Sequence, residues 1–245
     1  MTAVQTEFVP LQHRIARPAF PPVPLSRVVR IELRKMFDTR SGFWLMASIG
    51  IAALLATTAV ILFAPDSELT YNNFGAAIGA PMAVILPMVA ILSVTSEWSQ
   101  RSGLTTFTLV PHRGRVIGAK AIASVAVAVA SMLLAFGIGA IGNVVGTAIT
   151  GTPVTWDISL TESRCIVLGN VLGLLTGFML GVLIRNSAGA IVAYFVYSLV
   201  LPPLFAVLAV SQQWFENLRP WVDVNYAQGF LFNDVPSGEQ WAQLG

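Results

Sequence analysis

The residues able to do chemistry are few, and their spacing excludes more than it offers. Histidine occurs only at His13 and His112 and cysteine only at Cys165. Neither a His/Cys metal cluster nor a buried Ser-His-Asp arrangement can be built from these, so no catalytic and no metal-binding residue is assigned. The stretch "GRVIGAK", Gly114–Lys120, resembles a phosphate-binding loop in outline. Such a loop needs four residues between its glycines, Lys directly after the second, and then Ser or Thr. Here three residues intervene, Ala119 precedes Lys120 and Ala121 follows it. The chain is therefore not expected to bind or hydrolyse a nucleotide by itself. What remains is "SEWSQRSGLTTFTLVPHRGRVIGAK", Ser96–Lys120, basic and punctuated by Gly and Pro, with Glu97 near its start. Gly103 should break the preceding helix and Pro111 should end the short segment that follows. Leu104, Phe107 and Leu109 would then face whatever lies below. Two readings are open: a docking surface that takes up force from a separate partner, or an ordinary solvated loop anchored by arginines.

The elements that must hold this insert follow from composition. Of the residues, 55% are hydrophobic and 11% charged, with a mean hydropathy of +0.73. A water-soluble domain carries roughly 25% charged residues. Continuous apolar runs near the roughly 20-residue length of a spanning helix make this an all-α, polytopic transmembrane bundle; strand-like alternation is absent. Spans are expected near 42–64, 75–95, 121–146, 165–184 and 188–210, with a coupling loop at 96–120. Residues 1–24, with five prolines, read as a disordered tail. Over 25–40, Leu25, Val28, Val29, Leu33, Met36 and Phe37 share one helical face and Arg27, Arg30, Arg34 and Asp38 the other, with Ile31 and Glu32 breaking the pattern. That segregation predicts an amphipathic helix lying in the membrane interface. Residues 211–245, dense in Trp, Phe and Tyr, suit short helices in the outer headgroup layer.

Charge predicts the orientation. With the N-terminus inside, the inner segments hold twelve of the fourteen basic residues, and the outer ones only Arg164 and Arg219. The insert is then cytoplasmic, the aromatic segment extracellular, and the protein a multi-pass component of the plasma membrane. The pI near 9.0 reflects this asymmetry and contact with the lipid bilayer, not nucleic-acid binding. No Asp, Glu, Lys or Arg falls inside the five windows. An ion-coupled carrier usually needs such groups, so energy for any uphill movement is expected to enter from outside the bilayer.

Within the fourth span, Gly169, Gly173, Gly177 and Gly181 recur every four residues, a small-residue stripe for close helix packing or for a dimer interface. Asn143 and Asn170 either line a pathway or hydrogen-bond across helices. Pro81, Pro87, Pro202 and Pro203 should bend their helices.

The order of basic interfacial helix, span, span and then "EW…G…T…L…P..R….K" resembles the permease subunits of ABC-2 type transporters. The family's Glu, Gly-Thr-like pair, leucine, proline, arginine and span-opening lysine correspond to Glu97, Gly103 with Thr105 or Thr106, Leu109, Pro111, Arg113 or Arg115, and Lys120. The resemblance runs from about Leu25 to the end. It implies a connecting helix at 25–40 and a coupling helix around Arg101–Val110 seated on a cytosolic ABC ATPase. It also implies a second permease copy, identical or related, and re-entrant aromatic helices before a last span. Mg-ATP would sit on the partner subunit, with no cofactor on this chain. The family has six spans, whereas five are visible here. The implied function is outward movement of a hydrophobic or amphipathic substrate (a drug, lipid or peptide). The alternatives are a membrane anchor that transports nothing and an ion-coupled secondary carrier.

Overall fold

In a computed structural model of the chain, residues 23–38, 40–99, 113–233 and 235–244 are described. The tail and most of the insert lie outside this set. Among the described residues the fold is all helical, without strands. Helix α1 spans Leu25–Asp38, α2 Arg40–Phe63, α3 Tyr71–Ser99, α4 Arg113–Thr150 and α5 Leu160–Ile184. A fifth long element comprises α6 at Ser187–Phe195, a π-helical turn at Val196–Val200 and α7 at Leu201–Ser211. Three short helices close the chain: α8, Gln213–Val222; α9, Val224–Asn233; and α10, Gly238–Leu244. Among the described residues, five helices are long and apolar enough to cross a bilayer, the architecture of a multi-pass membrane protein.

Helix α3 is the hub, packing on α2, α4, α5 and α6. Ile78, Met82, Leu86 and Ala90 of α3 meet Ile49 and Ala53 of α2, Ala128 and Met132 of α4, and Leu174 and Phe178 of α5. Outward-facing Leu54, Leu55, Leu133, Ile141, Leu183 and Val207 stay exposed, as lipid-facing side chains must.

Hydrogen bonding sets the helix ends further out than the apolar windows suggest. Helix α5 starts at Leu160, not near Cys165, because "SLTE" forms a capping box: the Glu162 N–H donates to Ser159 Oγ, and the Ser159 N–H donates to Glu162 Oε2 at 2.6 Å. It stops at Arg185, whose φ of 55° is left-handed; Asn186 then caps α6 by accepting the Gly189 N–H at 2.9 Å. Helix α4 begins at Arg113 and has 38 residues, about 57 Å at 1.5 Å per residue. That exceeds a hydrocarbon core of roughly 30 Å, so α4 carries Arg115 and Lys120 in its opening turns.

Pro87 lies inside α3 and cannot donate to the Ala83 carbonyl. The Tyr194 hydroxyl of α6 donates to that carbonyl instead, at 2.9 Å. The π turn precedes Pro202 and Pro203, which cannot donate to the carbonyls of Ser198 and Leu199. The Leu201 N–H reaches back to the Val196 carbonyl, which widens this turn.

The aromatic C-terminal segment does not simply rest across the bundle's end. The rings of Phe215 in α8 and Phe205 in α7 lie 5.6 Å apart. Gln228 of α9 donates to the Gly169 carbonyl at 2.6 Å. Gly169 lies nine residues beyond the start of α5, or about 14 Å along it. The α8–α9 hairpin therefore folds back beside α5.

Candidate functional site

The strongest concentration of buried polar chemistry lies where α1, α3 and α4 meet, beside the ends that lead into the insert. Glu32 of α1 is 3% exposed and Lys120 of α4 is 4% exposed. Lys120 Nζ donates to Glu32 Oε2 at 2.6 Å and to the Ser93 carbonyl of α3 at 3.1 Å. Lys35 Nζ donates to Glu32 Oε1 at 2.8 Å. The hydroxyls of Ser93 and Ser124 link α3 to α4 at 3.3 Å.

Glu32 occupies this place because of helix register. Val28, Glu32 and Met36 recur every four residues and form the buried stripe of α1, with Met36 packed on Val89, Ala123 and Val127. Its departure from the amphipathic pattern was the sequence signal for Glu32, and the span-opening position that for Lys120. Leu25 and Phe37 of the apolar face are exposed, open to the interface expected around α1, and Arg27, Arg30, Arg34 and Asp38 are exposed on theirs. Burial on its own would raise the Glu32 carboxyl; the ammonium groups of Lys120 and Lys35 outweigh it and hold the pKa below the ordinary 4.5. A buried carboxylate is kept ionised by cations on two helices.

The other flank of α3 is tied as well. Thr95 and Ser187 share a hydroxyl hydrogen bond of 2.7 Å, and the Arg185 guanidinium lies 5.1 Å from the centre of the Trp98 ring. The last turns of α3 are thus joined to α1 and α4 on one side, and to the α5–α6 junction on the other.

Of the coupling residues read from sequence, Arg101, Gly103, Leu104, Thr105, Thr106, Phe107, Leu109 and Pro111 lie outside the described residues. Glu97 falls in the last turn of α3, Arg113 opens α4, and Arg115 is half-buried in its first turn. The glycine stripe is filled by this chain's own atoms. A Cβ on Gly169 would lie 2.6 Å from Phe232, on Gly173 3.1 Å from Gln228, on Gly177 2.8 Å from Pro87, and on Gly181 3.3 Å from Ile91. Asn143 is buried and donates to the Thr155 carbonyl at 2.8 Å. It thereby pins the α4–α5 connection over the start of α3, where the Asn72 N–H donates to Asp157 Oδ1 at 2.7 Å. Asn170 is also buried and donates to the Ile166 carbonyl within its own helix.

The five apolar windows hold no charged residue, but among the described residues charge is buried at two places outside them. Besides Glu32–Lys120, Asp223 at the α8–α9 turn is 4% exposed and accepts from Arg219 Nε at 3.2 Å. Arg219 also lies over the Tyr226 ring at 4.3 Å. The linear sequence put these groups in an outer loop; the folded-back hairpin carries them inward. Among the described residues no group of three or more His, Cys, Asp or Glu could hold a metal ion.

No protein-family model matches this sequence, and a comparison with curated proteins returns no match.

Proposed function

We propose that this multi-pass chain is the membrane-spanning subunit of an ATP-driven exporter of the ABC-2 kind, taking its energy from a separate cytosolic ATPase. The observation that carries this reading is the Glu32–Lys120 pair. The insert joins Ser99 of α3 to Arg113 of α4, and the pair binds α4 to α1 close to that junction. A push on the insert would reach α1, α3 and α4 together and, through Thr95 and Trp98, the α5–α6 junction. A loosely held loop would dissipate it. The N-terminus and insert face the cytoplasm in this reading, Mg-ATP binds the partner, and a second permease copy completes the pathway for a hydrophobic or amphipathic substrate.

The test is purification from native membranes in mild detergent, followed by identification of associated proteins and an ATPase assay. Copurification of an ATPase whose activity falls in Glu32→Gln and Lys120→Met, but not in Arg34→Gln, supports the proposal. Absence of any associated ATPase overturns it. A second reading, an ion-coupled carrier, is favoured by one observation, the Arg219–Asp223 pair with its buried carboxylate. In sealed vesicles it requires transport that stops when a proton or sodium gradient is collapsed and is indifferent to ATP.

A further inference from the structure

A groove of about 480 Å³ runs between α1 and α4, lined by Leu25, Ser26, Val29, Arg30, Leu33 and Ile122. Its walls are apolar except for one hydroxyl and one guanidinium, and no carboxylate is among them. Leu25 and Ile122 are exposed, so the groove opens along the surface that a bilayer would cover.

The charges of α1 sort into two sets. Arg34 is paired with Asp38 at 2.9 Å, and Lys35 with Glu32 at 2.8 Å. Both carboxylates of the helix are thereby engaged, Glu32 doubly so through Lys120. Arg27 and Arg30 are exposed and have no acidic partner among the described residues. Arg30 is the one that sits at the groove. An apolar channel with an uncompensated arginine and a serine hydroxyl at its rim matches an acyl chain joined to a phosphate. A guanidinium can grip a phosphate through two parallel N–H donors, and the hydroxyl adds a third.

We propose that this groove is a binding site for an anionic phospholipid of the leaflet in which α1 lies. The phosphate is held by Arg30 and Ser26, and the acyl chain lies against Val29, Leu33 and Ile122. A zwitterionic lipid presents the same phosphate beside its own ammonium, so it satisfies Arg30 less well. Because Glu32 and Lys120 lie within one turn of Arg30 and Ile122 on the same helices, the lipid would brace the contact between α1 and α4. The site stands whether or not the chain couples to an ATPase.

The full-length protein in detergent is offered equal amounts of phosphatidylglycerol and phosphatidylcholine, and bound lipid is counted by native mass spectrometry. Wild type should prefer phosphatidylglycerol. Arg30→Gln should weaken that preference about fivefold, the effect of one basic residue near an anionic surface. Arg34→Gln, on the same helix but not among the residues lining the groove, should leave it unchanged. Ile122→Trp fills the groove and should reduce binding of both lipids. Arg30 and Ile122 are exposed, so an unchanged helical circular-dichroism signal verifies the fold of each variant. Equal binding of the two lipids by wild type, or wild-type binding by both Arg30→Gln and Ile122→Trp, overturns the proposal. So does a loss in Arg34→Gln equal to that in Arg30→Gln, which would indicate diffuse charge instead of a site.

Discussion

Replacing Lys120 with Met removes the buried ion pair together with the hydrogen bond to the Ser93 carbonyl. Met and Lys have similar helix propensities, so the backbone contribution nearly cancels. The side chains of Lys120 and Glu32 are 6% and 4% exposed, and removing one partner of such a pair costs about 3–5 kcal/mol. Glu32 would keep Lys35, but that side chain is 47% exposed and its attraction is screened by water. The expected loss therefore lies at the low end, about 3 kcal/mol. For a chain of this size that lowers the melting temperature by about 6–12 °C. Glu32→Met combined with Lys120→Met removes both charges and leaves apolar groups of similar volume, so it should recover to within about 1 kcal/mol of wild type. Thermal unfolding in detergent, followed by circular dichroism, measures all four corners of this cycle. Lys120→Met melting with wild type, or a double variant at the sum of the two single losses, would refute the reasoning: the pair would then not act as a unit.

The same carboxylate gives a pH signature. Glu32 is held below 4.5, so its stabilisation is complete above that value and is lost as pH falls through the lower folded-state pKa. Wild type should lose more melting temperature than Glu32→Gln on acidification below pH 4.5. At Gly177 a Cβ would lie 2.9 Å from the Pro87 carbonyl oxygen, whereas none at Gly137 would meet anything within 4 Å. Gly177→Leu should abolish monodisperse protein in size-exclusion chromatography, and Gly137→Ala should not. Tyr194→Phe should destabilise by about 1 kcal/mol. It should do much less in a Pro87→Ala background, where the Ala83 carbonyl regains a backbone donor; equal losses in both backgrounds would remove the replacement role of Tyr194.

The spans and the amphipathic α1 were legible because both are written in hydropathy, which a linear reading sees directly. Their ends were not, because a helix persists wherever its backbone groups find partners, apolar or otherwise. "SLTE" was a readable cap, yet hydropathy alone placed the start of α5 beyond it, at Cys165. Glu32 was visible as a break in the α1 pattern, but its meaning required Lys120, which is 88 residues away. The Arg219–Asp223 spacing is that of an ordinary helical pair. Its burial accompanies a tertiary contact of the same hairpin, Gln228 on Gly169, that no local pattern encodes. The glycine stripe announced close packing and left the partner open; Pro87, Ile91 and Phe232 fill it from distant parts of the same chain.

Pro87 is where these separate lines meet. It breaks the α3 hydrogen-bond ladder at a point where Gly177 admits its ring without a Cβ and Tyr194 supplies the missing donor. Three helices are thereby matched at a weak point in the backbone of the central one. The polar ties at Ser93 and Thr95 lie six and eight residues further along α3, about 9–12 Å away, on the side leading to the insert. A displacement entering at Ser99 would meet that tied segment first and Pro87 next. Since close-packed interiors resist continuous deformation, the interrupted ladder at Pro87 is the place where α3 can yield while its ties to α1 and α4 hold. Strengthening the ladder with Pro87→Ala should therefore stiffen α3 without touching the ion pair. Lys120→Met should do the reverse, loosening the tied end and leaving the ladder at Pro87 as it is.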